Sequence, residues 1–216
     1  PEDSIISFII MLLSTAFFPP IQYFTKLYGQ SKISLEACEN YQKQSYRNRC
    51  CIYGANGVIC LNVPILKGRS PGMLVKDARI SYATTWQKQH LKSIESAYKN
   101  SPFFEFYIDE LYRFWNEKFE FLFDLNTQVM NCLIKLIELP ELEIVETKHF
   151  KVNTSNEDFR FSIHPKVSYT DDETFTAREY QQVFSERFGF KANLSILDLL
   201  FLKGPETDLY LKTCKK

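Results

Sequence analysis

Two stretches of this chain carry the residue types best suited to chemistry. In the first, Lys43, Arg47, Asn48 and Arg49 fall within the segment KQSYRNR. Guanidinium groups grip carboxylates or phosphates bidentately. Each charge-assisted hydrogen bond contributes roughly 1.5–3 kcal/mol. In an extended segment Arg47 and Arg49 point the same way, which makes them a candidate joint anion site. Read structurally, the same cations belong to a solvated loop paired with Glu36 or Glu39. In the second stretch His90 follows Trp86 by four residues, which places both on one helical face, with Tyr98 further along. Imidazole titrates near neutrality, so His90 is a candidate general acid or base. The structural reading is a half-buried histidine packed on Trp86.

Further candidates are more ambiguous. Asp109 lies in an aromatic-rich segment, where desolvation would raise its pKa or a cation would pair with it. Otherwise it and Glu110 mark the wet stripe of a helix. His164 with Arg160 and Lys166 forms a second basic cluster in FRFSIHPK, read either as a ligand loop or as a solvated one. Ser195 and Asp198 combine a nucleophile with an acid, but their spacing is also that of a helix cap. No Walker loop, dinucleotide fingerprint or nucleophile elbow is present in the sequence. His90, His149 and His164 are far apart, and none stands at metal-ligand spacing from a cysteine, so no metal site is expected.

These residues need a scaffold. A strand over 12–17 ends at Pro19-Pro20, and a short helix carries Ile21, Phe24 and Leu27. A second strand is read over 32–37. The cationic arm then leads into a hairpin, 50–53 and 58–63, turning at Gly54-Ala-Asn-Gly57. Residues 64–76 read as a basic loop with Lys67, Arg69 and Lys76, followed by a short strand over 78–82. Thr84 with Gln87 suggests a capping box for the helix that bears Trp86 and His90. Ser101-Pro102 opens a long aromatic helix over 103–119, Asp124 caps another, and Pro140 ends it. A strand is read over 142–145. Residues 151–175 show no clear pattern. A capping box at Thr176 and Glu179 predicts a helix stopping at Gly189, and Ser195 caps the next. The expected class is α/β or α+β: a β-rich first third with a hairpin, then a mainly helical remainder.

Composition sets the limits. With 216 residues, one large domain is expected over 11–216, preceded by an extension at 1–10. Formal net charge is zero, which argues against general nucleic-acid binding. The six cysteines include no C-x-x-C pair, and Cys50 and Cys51 point to opposite faces of a strand; free thiols in a reducing cytoplasm are expected. The apolar run SIISFIIMLLSTAFF is shorter than the ~20 residues of a spanning helix. It follows Glu2 and Asp3 instead of the cations of a signal peptide. Met11 is the expected natural start.

In ordered series, several segments resemble the WbqC-like protein family: STAFFPPIQYFTKL, YQKQSYRNRCCIYGANGVICLNVPI, SYATTWQKQHLKSIESAYKNSPFFEFYIDEL, the DLN at 124–126, and NLSILDLLFLKGPETDLYL. The resemblance covers most of the chain from Met11 to about Leu211. It implies a cytoplasmic role in making O-antigen or other surface polysaccharide. The implied activity is transfer of glycine or another small acyl unit onto an amino sugar. The implied ligand is a nucleotide- or lipid-linked sugar precursor, and ATP or an aminoacyl donor such as a charged tRNA supplies the activated acyl group. A non-catalytic protein that binds the precursor or a partner enzyme is the alternative. The polar residues carried over by position are Lys43, Arg47, Asn48, Arg49, Trp86, His90, Tyr98, Ser101, Asp109 and Asp198. The family pattern often has Asn after Leu-Leu-Phe, where this chain has Leu202 and Lys203, so no role is carried to that spot. The family also often has a longer segment before the last helices, so 151–175 is either a specificity element or a shortened loop. His90 and Asp109 are the expected catalytic pair. Lys43, Arg47, Asn48, Arg49, Trp86, Tyr98 and Ser101 are the expected binding set. The scheme requires the cationic arm and the Trp86–His90 helix to line one hollow.

Overall fold

The computed structural model describes residues 11–66, 72–152 and 157–216. The expected extension at 1–10 and the basic loop at 67–71 lie outside these residues. The order of elements is β1 (Met11–Ser14), α1 (Ile21–Leu27), β2 (Lys32–Glu36), β3 (Arg49–Gly54), β4 (Gly57–Asn62), α2 (Trp86–Tyr98), α3 (Phe104–Leu111), α4 (Arg113–Asn116), α5 (Leu122–Leu136), β5 (Glu143–Glu146), α6 (Ser185–Phe188), α7 (Ile196–Lys203) and α8 (Thr207–Cys214). Helices and strands are mixed, with the strands concentrated early, as an α/β chain requires.

β1, β2 and β5 form a parallel sheet with β2 in the middle. Strand side chains alternate between faces. One face carries Met11, Leu13, Ile33, Leu35 and Ile144, and turns to the core. The other carries Leu12, Ser14, Ser34, Glu36 and Val145. That second face is polar at the carboxyl ends of β1 and β2, where Ser14 and Glu36 are register partners, yet both are buried. The chain at 157–159 runs beside β1, bonding through Leu12 N to Glu157 O (2.8 Å) and Phe159 N to Leu12 O (2.9 Å).

The hairpin of β3 and β4 stands as a separate two-stranded ladder, with Arg49 opposite Asn62 and Cys51 opposite Cys60. Its turn requires glycine: Gly57 takes φ +107°. Residues 194–196 stitch this ladder to α1. Ser195 N bonds to Cys51 O (2.8 Å), Ile21 N to Leu194 O (3.0 Å) and Ile196 N to Pro19 O (2.8 Å). Ser195 caps α7 as expected, its hydroxyl accepting from Leu197 N and donating to Phe18 O (2.9 Å).

Several sequence expectations differ from the structure. Cys51 and Cys60 are not free thiols: they form a disulfide, because the hairpin register sets their Cα atoms 4.1 Å apart on one face. Such bonds are rare in reducing cytosol. Cys38, Cys50, Cys132 and Cys214 are free. Residues 78–82 make isolated bridges at Arg79 and Ile80 instead of a strand. The aromatic helix begins at Phe104, is interrupted after Leu111 and ends at Asn116. Phe121, not Asp124, stands at the cap of α5, and Asp124 lies in the first turn, where a negative charge is favoured. Thr85 precedes α2 without a side-chain cap. The helix expected after Thr176 survives only as α6. Upstream of it, Gln182 turns inward to donate to Lys191 O (2.9 Å) and Asp198 (3.0 Å).

Candidate functional site

The arm before β3 is held in place residue by residue. Phe17 N bonds to Tyr46 O (2.9 Å), and the Asn126 amide donates to Arg47 O (2.8 Å). Arg47 is 2% exposed. Its Nε donates to Glu39 Oε1 (2.8 Å), and its Nη2 donates to Glu39 Oε2 and to Ser14 Oγ (2.7 Å). The pairing with Glu39 anticipated in the structural reading therefore exists, but it is buried and not solvated. Arg160 completes a second pair at the same sheet edge. It donates to Glu36 Oε2 (2.6 Å) and to both oxygens of Asp158 (3.0 and 2.7 Å), and is 1% exposed. Ser14 Oγ donates to Arg160 O (3.0 Å) and so ties the two pairs together. Arg47 is thus committed to a protein carboxylate. Offering it to a substrate would strip a buried Glu39 of its counter-ion.

The other arm residues divide. Lys43 is exposed. The Asn48 amide donates to Val63 O (2.9 Å) and braces the strand. Arg49 is half-buried, and its Nε donates to Asn62 Oδ1 (2.7 Å) with no carboxylate partner among the described residues. His90 Nε2 lies 3.1 Å from the main-chain oxygen of the same Asn62. Arg49 and His90 thus share Asn62 as a partner, but none of Lys43, Arg47, Asn48 and Arg49 is among the residues lining the cleft at His90, so the arm and the helix do not line one hollow as expected. A carbonyl only accepts, so His90 Nε2 carries the proton and Nδ1 holds a lone pair. Burial pushes the His90 pKa down to about 4, opposed by the bond to Asn62, so the ring is neutral at neutral pH.

Asn62, Trp86 and His90, with Cys60, Gln89 and Ser93, line a cleft of about 330 Å³. Trp86 and His90 are 2% and 5% exposed, the indole edge-on to the imidazole at 5.0 Å between centroids. Each keeps one polar atom without a partner among the described residues, Trp86 Nε1 and His90 Nδ1. Both atoms are closed off from solvent, and seven other buried polar atoms among the described residues are unpartnered too, Ser101 Oγ and Trp115 Nε1 among them. Among the described residues no group of His, Cys, Asp and Glu is arranged to hold a metal.

The remaining candidates sit elsewhere. Tyr98 accepts from Tyr53 N (3.0 Å) and donates to Asp198 (2.6 Å), which also accepts from Tyr180 and Gln182. Burial raises the pKa of Asp198 while these three donors lower it. That network locks α2, β3 and α7 together. Ser101 is buried with its hydroxyl unpartnered, its main-chain N bonded to Tyr98 O (2.8 Å). Asp109 is exposed on α3 and does not line the cleft. In the second basic cluster Arg160 is buried in ion pairs, while His164 accepts from Lys166 N (3.1 Å). Burial, then the charges of Arg47, Lys166 and Arg49, lower the His164 pKa. Gln89, Ser93 and Asn62 were not singled out from sequence. The i, i+4 pair Gln89 and Ser93 beside His90 was the available signal.

A model of the WbqC-like protein family matches residues 15–173. The chain belongs to the WbqC-like protein family. The match begins just after β1 and takes in β2, the hairpin, α2 and β5, and with them Glu36, Glu39, Arg47 and Arg160 of the ion pairs and the residues of the cleft. The chain is also similar to the uncharacterized protein Rv1507c of Mycobacterium tuberculosis, 25% identical over 202 residues that cover 82% of this chain and 85% of that protein. No solved structure matches. Among the described residues, no helix of this WbqC-like protein is long and apolar enough to cross a membrane.

Proposed function

We propose that this WbqC-like protein is a transferase of surface-polysaccharide (O-antigen) synthesis. It joins glycine or another small acyl unit to the amine of a nucleotide- or lipid-linked amino sugar, with the Trp86–His90 cleft receiving the sugar. The observation that carries this reading is a neutral His90 in the wall of the cleft whose Nδ1 has no partner among the described residues; that atom is closed to solvent, so the ring must turn to meet a ligand. Trp86 Nε1 donates to a sugar oxygen and His90 Nδ1 accepts from the amine. As the amine nitrogen bonds to the acyl carbon, its proton passes to Nδ1. The bond from the acyl carbon to its activating group breaks, and that group leaves with the electron pair. The activated acyl group comes from an aminoacyl ester such as a charged tRNA, or from an acyl phosphate made with ATP. Arg49 holds the phosphate of the precursor, since Arg47 is already paired. Asp109 has no part in this scheme.

A carrier role for the same cleft is the second reading. It is favoured by one observation: a histidine held to about 4 is a weaker base than a solvated one. The test is incubation with an amino-sugar nucleotide plus either glycine and ATP or glycyl-tRNA, followed by mass. The expected result is a product whose formation falls about 100-fold or more in His90→Gln, the lower end of what a positioned acid or base supplies. Binding of the sugar nucleotide with no product from any donor would remove the transferase and leave the carrier.

A further inference from the structure

Gln89 and Ser93 line two cavities at once. One is the 330 Å³ cleft of Asn62, Trp86 and His90. The other, about 390 Å³, continues toward the hairpin turn past Ile59, Lys92 and Ser96. Because Gln89 and Ser93 belong to both linings, the two cavities lie side by side along the face of α2 that turns to β4. Each alone is near the lower end of the ~300–1,000 Å³ typical of ligand pockets. From this adjacency we infer that the two form one groove holding a saccharide of more than one ring, so that the acceptor is an oligosaccharide instead of a lone sugar. This rests on the reading of the cleft as the sugar site.

The lining chemistry supports a sugar chain. Amides and hydroxyls of Asn62, Gln89, Ser93 and Ser96 recur along the groove. A polyhydroxylated ligand can meet them at successive rings, and the orphaned donor and acceptor on Trp86 and His90 mark the end where the reacting ring sits. No Asp or Glu is among the residues lining either half, while Lys92 lines the distal half. Arg187 donates to Ala55 O (3.1 Å) beside it. The groove is therefore complementary to acidic substituents, in a protein whose formal net charge is zero. An extended peptide is the competing occupant, since it could pair with the edge of β4. That edge is already partly used: Cys60 O accepts from the Asn62 amide (3.2 Å), and Asn62 O is taken by His90. A strand laid there would lose acceptors it needs.

The test is calorimetry of the full chain with the uncharged N-acetylglucosamine monomer, dimer, trimer and tetramer. Affinity is expected to rise by about tenfold or more between monomer and trimer, as added rings gain contacts. Ser96→Trp, which fills the distal half, is expected to bring the trimer down to the affinity of the monomer. Circular dichroism checks that this variant is folded, and the length series on the unaltered protein stands without it. Length-independent binding, no binding at any length, or tighter binding of an extended Gly-Ser peptide than of the tetramer would each overturn the inference. Product from a monomeric acceptor with length-independent binding would overturn the groove but leave the transferase. Length-dependent binding without product would do the reverse.

Discussion

At the carboxyl end of the parallel sheet, Arg47 and Arg160 direct their donors to Glu39, Glu36 and Asp158, and Ser14 links the two pairs. Beside the hairpin, Trp86 and His90 are equally buried but each leaves an atom unmatched. The first region looks more like an anion site in sequence, having the arginines. Both arginines are already paired inside the protein, so neither can turn to a ligand without leaving a buried carboxylate to the penalty of desolvation. The second region holds fewer charges and more unfinished hydrogen bonding. Residue type alone therefore misleads about the arm: Arg47 is bonded to Glu39 and belongs to the scaffold.

The sharpest way to break this contrast is Arg47→Met beside Arg49→Met. Removing one partner of a buried pair costs about 3–5 kcal/mol, a large share of the ~5–15 kcal/mol that holds a typical protein together. Arg49 is half-buried and bonded to an amide, so its loss is expected to cost within about 0.5 kcal/mol. Urea unfolding of both variants measures this. Equal costs would mean that Arg47 is not the structural cation described here.

Acid provides the next probe, aimed at the cleft. The folded-state pKa of His90, about 4, lies below its ordinary value of 6.5. Between these values the unfolded chain binds the proton and the folded one does not, so stability falls as pH drops from 6.5 toward 4. The expected loss over that window is about 3 kcal/mol from this group. Comparing urea midpoints at the two ends, in the native protein and in His90→Gln, isolates it. A variant that keeps the full acid loss would show that His90 is not buried neutral. A somewhat smaller effect is expected from reducing Cys51–Cys60, which closes a short hairpin loop: about 2.6 kcal/mol by chain entropy. Melting with and without dithiothreitol reads it, and a Cys51→Ala, Cys60→Ala protein should not respond.

Local pattern made much of the fold legible. Ile21, Phe24 and Leu27 announced α1, the GANG turn announced the hairpin, and Ser195 announced α7. What failed was decided by distant partners. Gln182 and Tyr180 fit a helix by spacing, but their side chains reach Asp198 and the segment stays irregular around them. The same holds at the site. Trp86 and His90 could be placed on one face from their spacing alone. The pairing of Arg160 with Glu36, 124 residues apart, could not, and without it the buried role of the arm was out of reach. Asn62 is an ordinary strand-end residue in sequence; only the hairpin register makes it the meeting point of Arg49 and His90.

β2 lies between β1 and β5, and the far side of β1 is bordered by 157–159. β1 and β2 can thus find each other before β5 is made, while their flanking main-chain groups have only water as partner until synthesis has passed 157–159. Maturation of the sheet is in this sense a late event, timed by the back half of the chain although its central strands stand at the front.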